Sequence, residues 1–195
     1  MTKRVFIWVA HPKAGSLCSA LADAYQAGVV ATGGEIIRME LSQMRFDPHF
    51  EGYDGQEPPL EPDLVAWQDA IHWADHVMVI HPYWWGSMPT GAKAVIDRAL
   101  TPGFAFKYHA KGVAWDKLLK GKTAEGVITS DTPPLLDTVL YRKPARRVLK
   151  NQVLGFCGIK VRRVIQLGSV KLASRRKIDG WLKQMRQMGK RAALS

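Results

Sequence analysis

The sequence predicts an α/β fold built on a doubly wound parallel sheet, and three observations carry this prediction. Short, nearly continuous apolar runs recur along the chain, as expected for strands that are buried on both faces. Segments with helical spacing of apolar residues lie between these runs. The run at 76–80 leads directly into an aromatic loop, HPYWWGSMP at 81–89, and then into a helix. Strand, loop and helix therefore follow one another as in a βαβ unit.

Five strands are predicted, and they share a high content of apolar and β-branched residues. They cover residues 4–10, 35–41, 76–80, 123–130 and 161–168. Right-handed crossovers leave few topologies for such a chain, and the order 2-1-3-4-5 is favoured.

The helices are predicted from apolar residues at helical spacing. The first follows Ser16, and the next two begin near 62 and near 90. The fourth covers 138–156 with a kink or restart at Pro144, and the last covers 174–191. Residues 42–63 are expected to form a long irregular connection. A loop or short hairpin is expected to project from the sheet between the third and fourth strands.

Length and composition favour one globular domain over residues 1–195. The chain is 47% hydrophobic and 23% charged, which suffices for a core without disulfides. Its two cysteines, Cys18 and Cys157, form no CxxC motif, so we expect a reducing compartment and no metal site. The first apolar run is too short for a signal peptide, and no run approaches the roughly 20 residues of a membrane span. We therefore expect a soluble cytoplasmic protein.

The net charge of +11 is concentrated in one part of the chain. Residues 142–191 hold 16 lysines and arginines against a single acid, Asp179. Such a segment can attract phosphorylated ligands, an acidic protein or a membrane surface, but it is equally consistent with a solvated helix face. No zinc-finger, RRM or GxxG pattern is present, so no sequence-specific nucleic-acid binding is expected.

Three predicted loops are candidates for a binding site because the carboxyl ends of parallel strands share one edge of a sheet. They are residues 11–18, 82–89 and 129–134. The first is a strand-to-helix turn whose free N–H groups can hold a phosphate, although Ser16 could equally be a simple helix cap. The tryptophans Trp84 and Trp85 could line a flat ligand or could pack against the following helix.

Four motifs resemble the flavodoxin-like NAD(P)H:quinone oxidoreductases, which include the DT-diaphorase group and the bacterial potassium-efflux ancillary reductases. They are HPxxxSLCxAL at 11–21, PYWWxxMPxxxKxxIDR at 82–98, GFAF at 103–106 and FCGI at 156–159. The match runs over nearly the whole chain. It implies a homodimeric flavoenzyme that takes two electrons from NAD(P)H and gives them to a quinone.

The resemblance also implies roles for individual residues. The flavin phosphate and ribityl chain would be held by His11, Ser16, Leu17 and Cys18. The isoalloxazine ring would lie along Pro82, Tyr83, Trp84, Trp85 and Gly86, with Thr129, Ser130 and Asp131 at its other edge. Substrate would contact Phe106 and Tyr108 across the dimer, and Tyr108 and His109 are candidate proton donors to a quinone oxygen.

The chain departs from the family pattern in three places. Cys18 stands where an asparagine is common, and TSDTPP follows the fourth strand where TTGG is often found. Phe106 lacks the hydroxyl group that a tyrosine would offer to a substrate. The sequence ends early relative to the longer FAD-binding members, which favours FMN, with FAD as the alternative.

Two other functions fit the same fold. A flavodoxin-type electron carrier binds FMN but takes no hydride from NAD(P)H, and such carriers tend to be acidic where this chain is basic. A non-catalytic regulatory module could dock on an acidic protein or a membrane surface through 142–191.

Overall fold

The computed structural model describes residues 3–53 and 58–194, which fold around a parallel sheet. Its five strands all run in the same direction. They are β1 (Arg4–Val9), β2 (Glu35–Glu40), β3 (His76–Pro82), β6 (Thr123–Thr129) and β7 (Lys160–Leu167). The order across the sheet is β2-β1-β3-β6-β7. Because β6 and β7 are the fourth and fifth strands of this sheet along the chain, the predicted order 2-1-3-4-5 is confirmed.

Helices cover both faces of the sheet. The longer ones are α1 (Leu17–Val30), α2 (Pro62–Trp73), α3 (Thr90–Ala99) and α6 (Arg175–Leu194). Alternate residues of β1 point to opposite faces, as a strand requires. Phe6 and Trp8 pack on the face covered by α2 and α3, whereas Val5 and Ile7 pack on the face covered by α1 and α6. The two apolar layers explain the nearly continuous apolar sequence of this strand.

The helix predicted over 138–156 is wrong in its bounds. The chain forms α4 (Pro134–Val139), α5 (Pro144–Arg147) and a π-helix at Val148–Leu154. The break lies at Arg142 and Lys143, whose φ angles of 56° and 58° are left-handed and cannot continue a right-handed helix. Pro144 then starts α5, where a missing N–H group costs nothing. Of the two outcomes expected at Pro144, the structure shows the restart.

A projecting hairpin is present, as the sequence predicts. It consists of the antiparallel strands β4 (Phe106–Tyr108) and β5 (Trp115–Lys117). The Trp115 ring stacks on Phe156 with centroids 4.6 Å apart, and its Nε1–H donates to the Phe156 carbonyl at 3.0 Å.

The connection predicted at 42–63 ends at Glu61, where α2 follows, and its residues 54–57 lie outside the described residues. Its described part is irregular except for a 3₁₀ turn at Leu41–Gln43. In the part of the chain that the structure describes, no helix is long and apolar enough to cross a membrane.

Candidate functional site

The loops that follow β1, β3 and β6 meet at the carboxyl edge of the sheet. The Tyr83 N–H donates to the Thr129 carbonyl at 2.7 Å, which joins the second loop to the third. Cys18 Sγ lies 3.4 Å from Thr129 Oγ1, which joins the first loop to the third. The rings of His11 and Trp84 meet edge to face with centroids 5.9 Å apart. The structure therefore brings the three predicted loops together.

The first loop is built around the N-terminus of α1. Ser16 caps this helix, since its Oγ accepts the Ser19 N–H at 3.3 Å. The N–H groups of Leu17 and Cys18 belong to the first turn and have no acceptor within a helix, so they carry the positive end of its dipole. Burial raises the pKa of Cys18 to about 11, so its thiol is neutral. With no acid in the first turn, this end can accept an anionic group such as a phosphate.

His11 adds a donor to the same loop. Its Nδ1 accepts the Lys13 N–H at 3.0 Å. Burial, followed by the charge of Lys13, lowers the pKa of His11. The hydrogen bond assigns the proton of the neutral ring to Nε2, which is then a hydrogen-bond donor.

The aromatic loop after β3 is a tight two-residue turn. Trp84 and Ser87 exchange two N–H···O bonds of 3.0 Å each. Trp85 and Gly86 between them have φ angles of 49° and 80°, a pair of positive values found in type I′ turns. The left-handed conformation costs a tryptophan about 1–2 kcal/mol. The folded chain therefore holds an unfavourable residue at the tip of this loop.

Neither indole of this loop is a core residue. Trp85 is 104% exposed and Trp84 is 45% exposed. The interpretation in which both tryptophans merely pack against the following helix is therefore wrong. A large apolar side chain that is strained and fully exposed contributes little to folding, and such features concentrate at binding sites.

Two residues that the sequence analysis missed lie at the start of this loop. Tyr83 lies beside Asp137, and burial, followed by this neighbouring acid, raises the pKa of Tyr83 to about 12. Asp137 is buried and accepts from Arg146 Nη2 at 2.6 Å, and the same nitrogen lies 3.0 Å from Thr138 Oγ1. The available signal was that Asp137 is the only acid between residues 132 and 178.

The third loop uses its side chains to hold its own shape. Thr129 and Ser130 are buried, and Ser130 Oγ accepts the Thr132 N–H at 2.8 Å. Asp131 is exposed, and its Oδ1 accepts the Lys171 N–H at 2.8 Å. The sequence TSDTPP thus forms a loop that is internally bonded and fixed to the segment after β7.

The predicted substrate residues lie on the hairpin, away from these loops. Phe106 is 7% exposed and packs against Phe156, whereas Tyr108 and His109 are exposed. His109 Nε2 lies 3.1 Å from Asp116 Oδ1, and this contact lowers the pKa of Asp116. Within the described chain, the hairpin's hydrogen bonds and ring contacts reach no residue of the three loops. Their contribution across a dimer stays a prediction.

A cleft of about 890 Å³ opens at a different place, beside the base of the hairpin. Arg98 is buried in its wall, and Arg98 Nη1 lies 2.6 Å from Glu61 Oε1 and 2.6 Å from the Asp47 carbonyl. Among the described residues, none of the three loops lines this cleft. It is therefore separate from the candidate site.

His81 lies directly beneath the aromatic loop and makes the stability pH-dependent. It is 0% exposed, its Nδ1–H donates to the Pro82 carbonyl at 2.8 Å, and burial lowers its pKa from 6.5 to about 4. As the pH falls, the unfolded chain protonates His81 before the folded chain does. The contribution of neutral His81 to the unfolding free energy is therefore complete above pH 6.5 and is lost as the pH falls toward 4. We expect His81 to remove about 2 kcal/mol of unfolding free energy between about pH 7.5 and about pH 5.

Urea denaturation at both pH values checks this expectation, with His81→Asn as the comparison. Asparagine can donate to the same carbonyl but cannot become charged, so the variant should lose about 2 kcal/mol less than the wild type. Equal losses in both proteins would show that His81 is not buried in the neutral state.

Fold and loops together define a class of protein. It is a doubly wound α/β protein in which a free helix N-terminus and an exposed aromatic loop meet at the switch point of the sheet. Among the described residues, no cluster of histidine, cysteine, aspartate or glutamate could hold a metal ion.

A family model places the chain within this class. The model described as flavodoxin-like fold matches residues 3–188. The chain belongs to this family.

Curated relatives cover most of the chain at low identity. An uncharacterised NAD(P)H oxidoreductase of Haemophilus influenzae is 27% identical over 161 residues, which are 77% of this chain and 76% of the relative. NAD(P)H dehydrogenase [quinone] 1 of Rattus norvegicus is 24% identical over 94% of this chain and 76% of its own length.

Solved structures share the fold over nearly their whole length. The NAD(P)H:quinone oxidoreductase of Methanothermobacter marburgensis has a TM-score of 0.81 at 22% identity and covers 97% of this chain and 98% of its own. An FMN-dependent NADH-azoreductase of Bacillus anthracis, solved in complex with FMN, has a TM-score of 0.75 at 15% identity and covers 98% and 99%.

Proposed function

We propose that this protein is a flavin-dependent NAD(P)H:quinone oxidoreductase that uses FMN. The overall reaction converts NAD(P)H, a proton and a quinone into NAD(P)⁺ and the hydroquinone. The observation that carries the proposal is the aromatic loop, whose Trp85 is fully exposed on a strained turn beside a free helix N-terminus. The names of the relatives agree with this reaction.

The donors present in the three loops fit a flavin mononucleotide. The N–H groups of Leu17 and Cys18 and the Nε2–H of His11 would bind its phosphate. The backbone at Pro82–Gly86 would lie along the ring, with Thr129, Ser130 and Asp131 at its other edge. Bound FMN supplies the redox centre that accepts a hydride from NAD(P)H and passes two electrons to the acceptor.

The buried Asp137 has a positioning role in this proposal. Because it lies beside Tyr83 and is itself held by Arg146, it would fix the point at which the aromatic loop leaves β3. A fixed backbone keeps its N–H groups oriented before charge develops on the ring, and such preorganised dipoles stabilise that charge.

Tyr108 and His109 are proposed to donate the proton that the quinone oxygen requires. Both are exposed on the hairpin, and Asp116 orients the His109 ring. They would act, together with Phe106, on the site of the partner subunit in a homodimer. The two unpaired, buried cysteines are compatible with a cytoplasmic location.

The proposal is tested by flavin extraction followed by a rate comparison with NADH and NADPH. Purified protein should release flavin on denaturation, and chromatography should identify it as FMN rather than FAD. With a soluble benzoquinone, the holoprotein should oxidise at least one of the two nucleotides. Bound flavin without nucleotide oxidation would identify an electron carrier, and a protein that cannot bind FMN or FAD would overturn the proposal.

A further inference from the structure

The short helix α4 has its polar and apolar sides reversed. Its acid, Asp137, is 1% exposed. Its neighbours Leu135, Leu136, Val139 and Leu140 are 42 to 74% exposed. A surface helix normally buries its apolar stripe and exposes its charges. A contiguous group of exposed leucines therefore indicates an interaction surface.

Cations surround this apolar group on one side. Arg142, Lys143, Arg147 and Lys150 are all exposed, and in the part of the chain that the structure describes none of them forms an ion pair. The acid nearest in sequence, Asp137, is buried and neutralised by Arg146. The local charge is therefore positive and uncompensated.

The segments that carry the apolar and the cationic residues are bonded to each other. The Lys143 N–H donates to the Asp137 carbonyl at 2.9 Å, and Arg146 joins α5 to Asp137 of α4. Lys150 follows Arg147 by about one helical turn. We define the basic apolar face by its members, which are Leu135, Leu136, Val139, Leu140, Tyr141, Arg142, Lys143, Arg147 and Lys150.

This face lies beside the aromatic loop. A Cβ atom built on Gly86 would lie 3.9 Å from Pro144 Cγ, so α5 lies close to the turn that carries Trp85. Trp85 is fully exposed, which adds an aromatic side chain at the edge of the face. Aromatic rings of this kind are enriched at the boundary between lipid and water.

We propose that the basic apolar face docks the protein on an anionic membrane surface. Exposed leucines can insert at the boundary between headgroups and acyl chains, while the cations bind acidic lipid headgroups. If two copies of the chain met through this face, eight like charges would lie together without an acid between them. This repulsion disfavours a second copy as the partner of this face.

Docking in this orientation has a consequence that rests on the proposed function. It would place the aromatic loop next to the bilayer, so the acceptor class would be a quinone dissolved in lipid. The docking itself does not depend on redox chemistry, so a lipid-binding measurement separates the two proposals.

Sedimentation with vesicles tests the docking. Holoprotein should bind vesicles of phosphatidylcholine and phosphatidylglycerol and should not bind phosphatidylcholine alone. Arg147→Glu with Lys150→Glu should lower the affinity about 30-fold. The matched control is Lys183→Glu with Arg186→Glu, two exposed residues of α6 on the opposite face of the sheet. It changes the net charge equally and should leave affinity within about threefold.

A second variant tests the apolar part of the face. Leu135→Ser with Val139→Ser alters side chains that are 74% and 70% exposed, so folding should be retained while vesicle affinity falls about tenfold. The proposal would be overturned if the wild-type protein does not bind anionic vesicles. It would also be overturned if both charge-reversal variants lose the same amount of vesicle affinity. A serine variant that changes the oligomeric state and leaves vesicle binding intact would identify the face as a subunit interface instead.

Discussion

Replacing Gly86 by valine should weaken FMN binding roughly 30- to 100-fold. Gly86 has a φ of +80°, a conformation that β-branched residues avoid. The nearest atom to an added Cβ is Pro144 Cγ at 3.9 Å, so the substitution causes no collision. The effect therefore arises from the backbone, because the turn must change its dihedral angles and move the N–H groups that are proposed to face the ring. Titration of flavin-stripped protein with FMN, followed by flavin fluorescence, measures the change.

Gly121→Val is the matched control for this variant. Gly121 has a φ of +86° and no atom within 4 Å of an added Cβ, but it lies in the turn before β6. The backbone strain should lower the unfolding free energy of both variants by about 1–3 kcal/mol. Only Gly86→Val should lose FMN affinity. If both variants bind FMN like the wild type, the aromatic turn does not contact the flavin.

The sheet and the meeting of its three loops were predictable because both follow from local pattern and a topological rule. A strand such as β1, buried on both faces, must be apolar at nearly every position, and its sequence RVFIWV shows this directly. Once the order 2-1-3-4-5 is chosen, the loops after β1, β3 and β6 have to share one edge. Placing the three loops at one edge therefore requires no knowledge of contacts between distant residues.

Other features depend on contacts between distant parts of the chain. The pairing of Asp137 with Arg146 requires that an acid be buried on an otherwise exposed helix, which hydrophobic periodicity would not suggest. Arg142 and Lys143 adopt left-handed conformations that sequence analysis normally assigns to glycine. Trp85 was predicted in part as a packing residue because large aromatic side chains usually bury much of their surface.

The largest expected loss of stability follows from Gly28→Ala. A Cβ atom at Gly28 would overlap the carbonyl oxygen of Arg186, and one at Gly189 would overlap that of Tyr25. The helices α1 and α6 therefore touch backbone to backbone at a reciprocal pair of glycines. An added methyl group cannot be accommodated by a side-chain rotation, so the helices must separate. We expect a loss of about 3 kcal/mol or more in the unfolding free energy, measured by urea denaturation.

Gly180→Ala distinguishes this packing effect from helix propensity. Gly180 lies in the same helix α6 and has no atom within 4 Å of an added Cβ. Alanine should stabilise the protein there by about 0.5–1 kcal/mol, because glycine is the poorer helix former. The same chemical change should therefore have opposite signs at two helical glycines. A stabilising Gly28→Ala would show that α1 and α6 are not in backbone contact. Because Ser16, the N-cap of α1, lies in the loop after β1, that result would also require a new position for this loop.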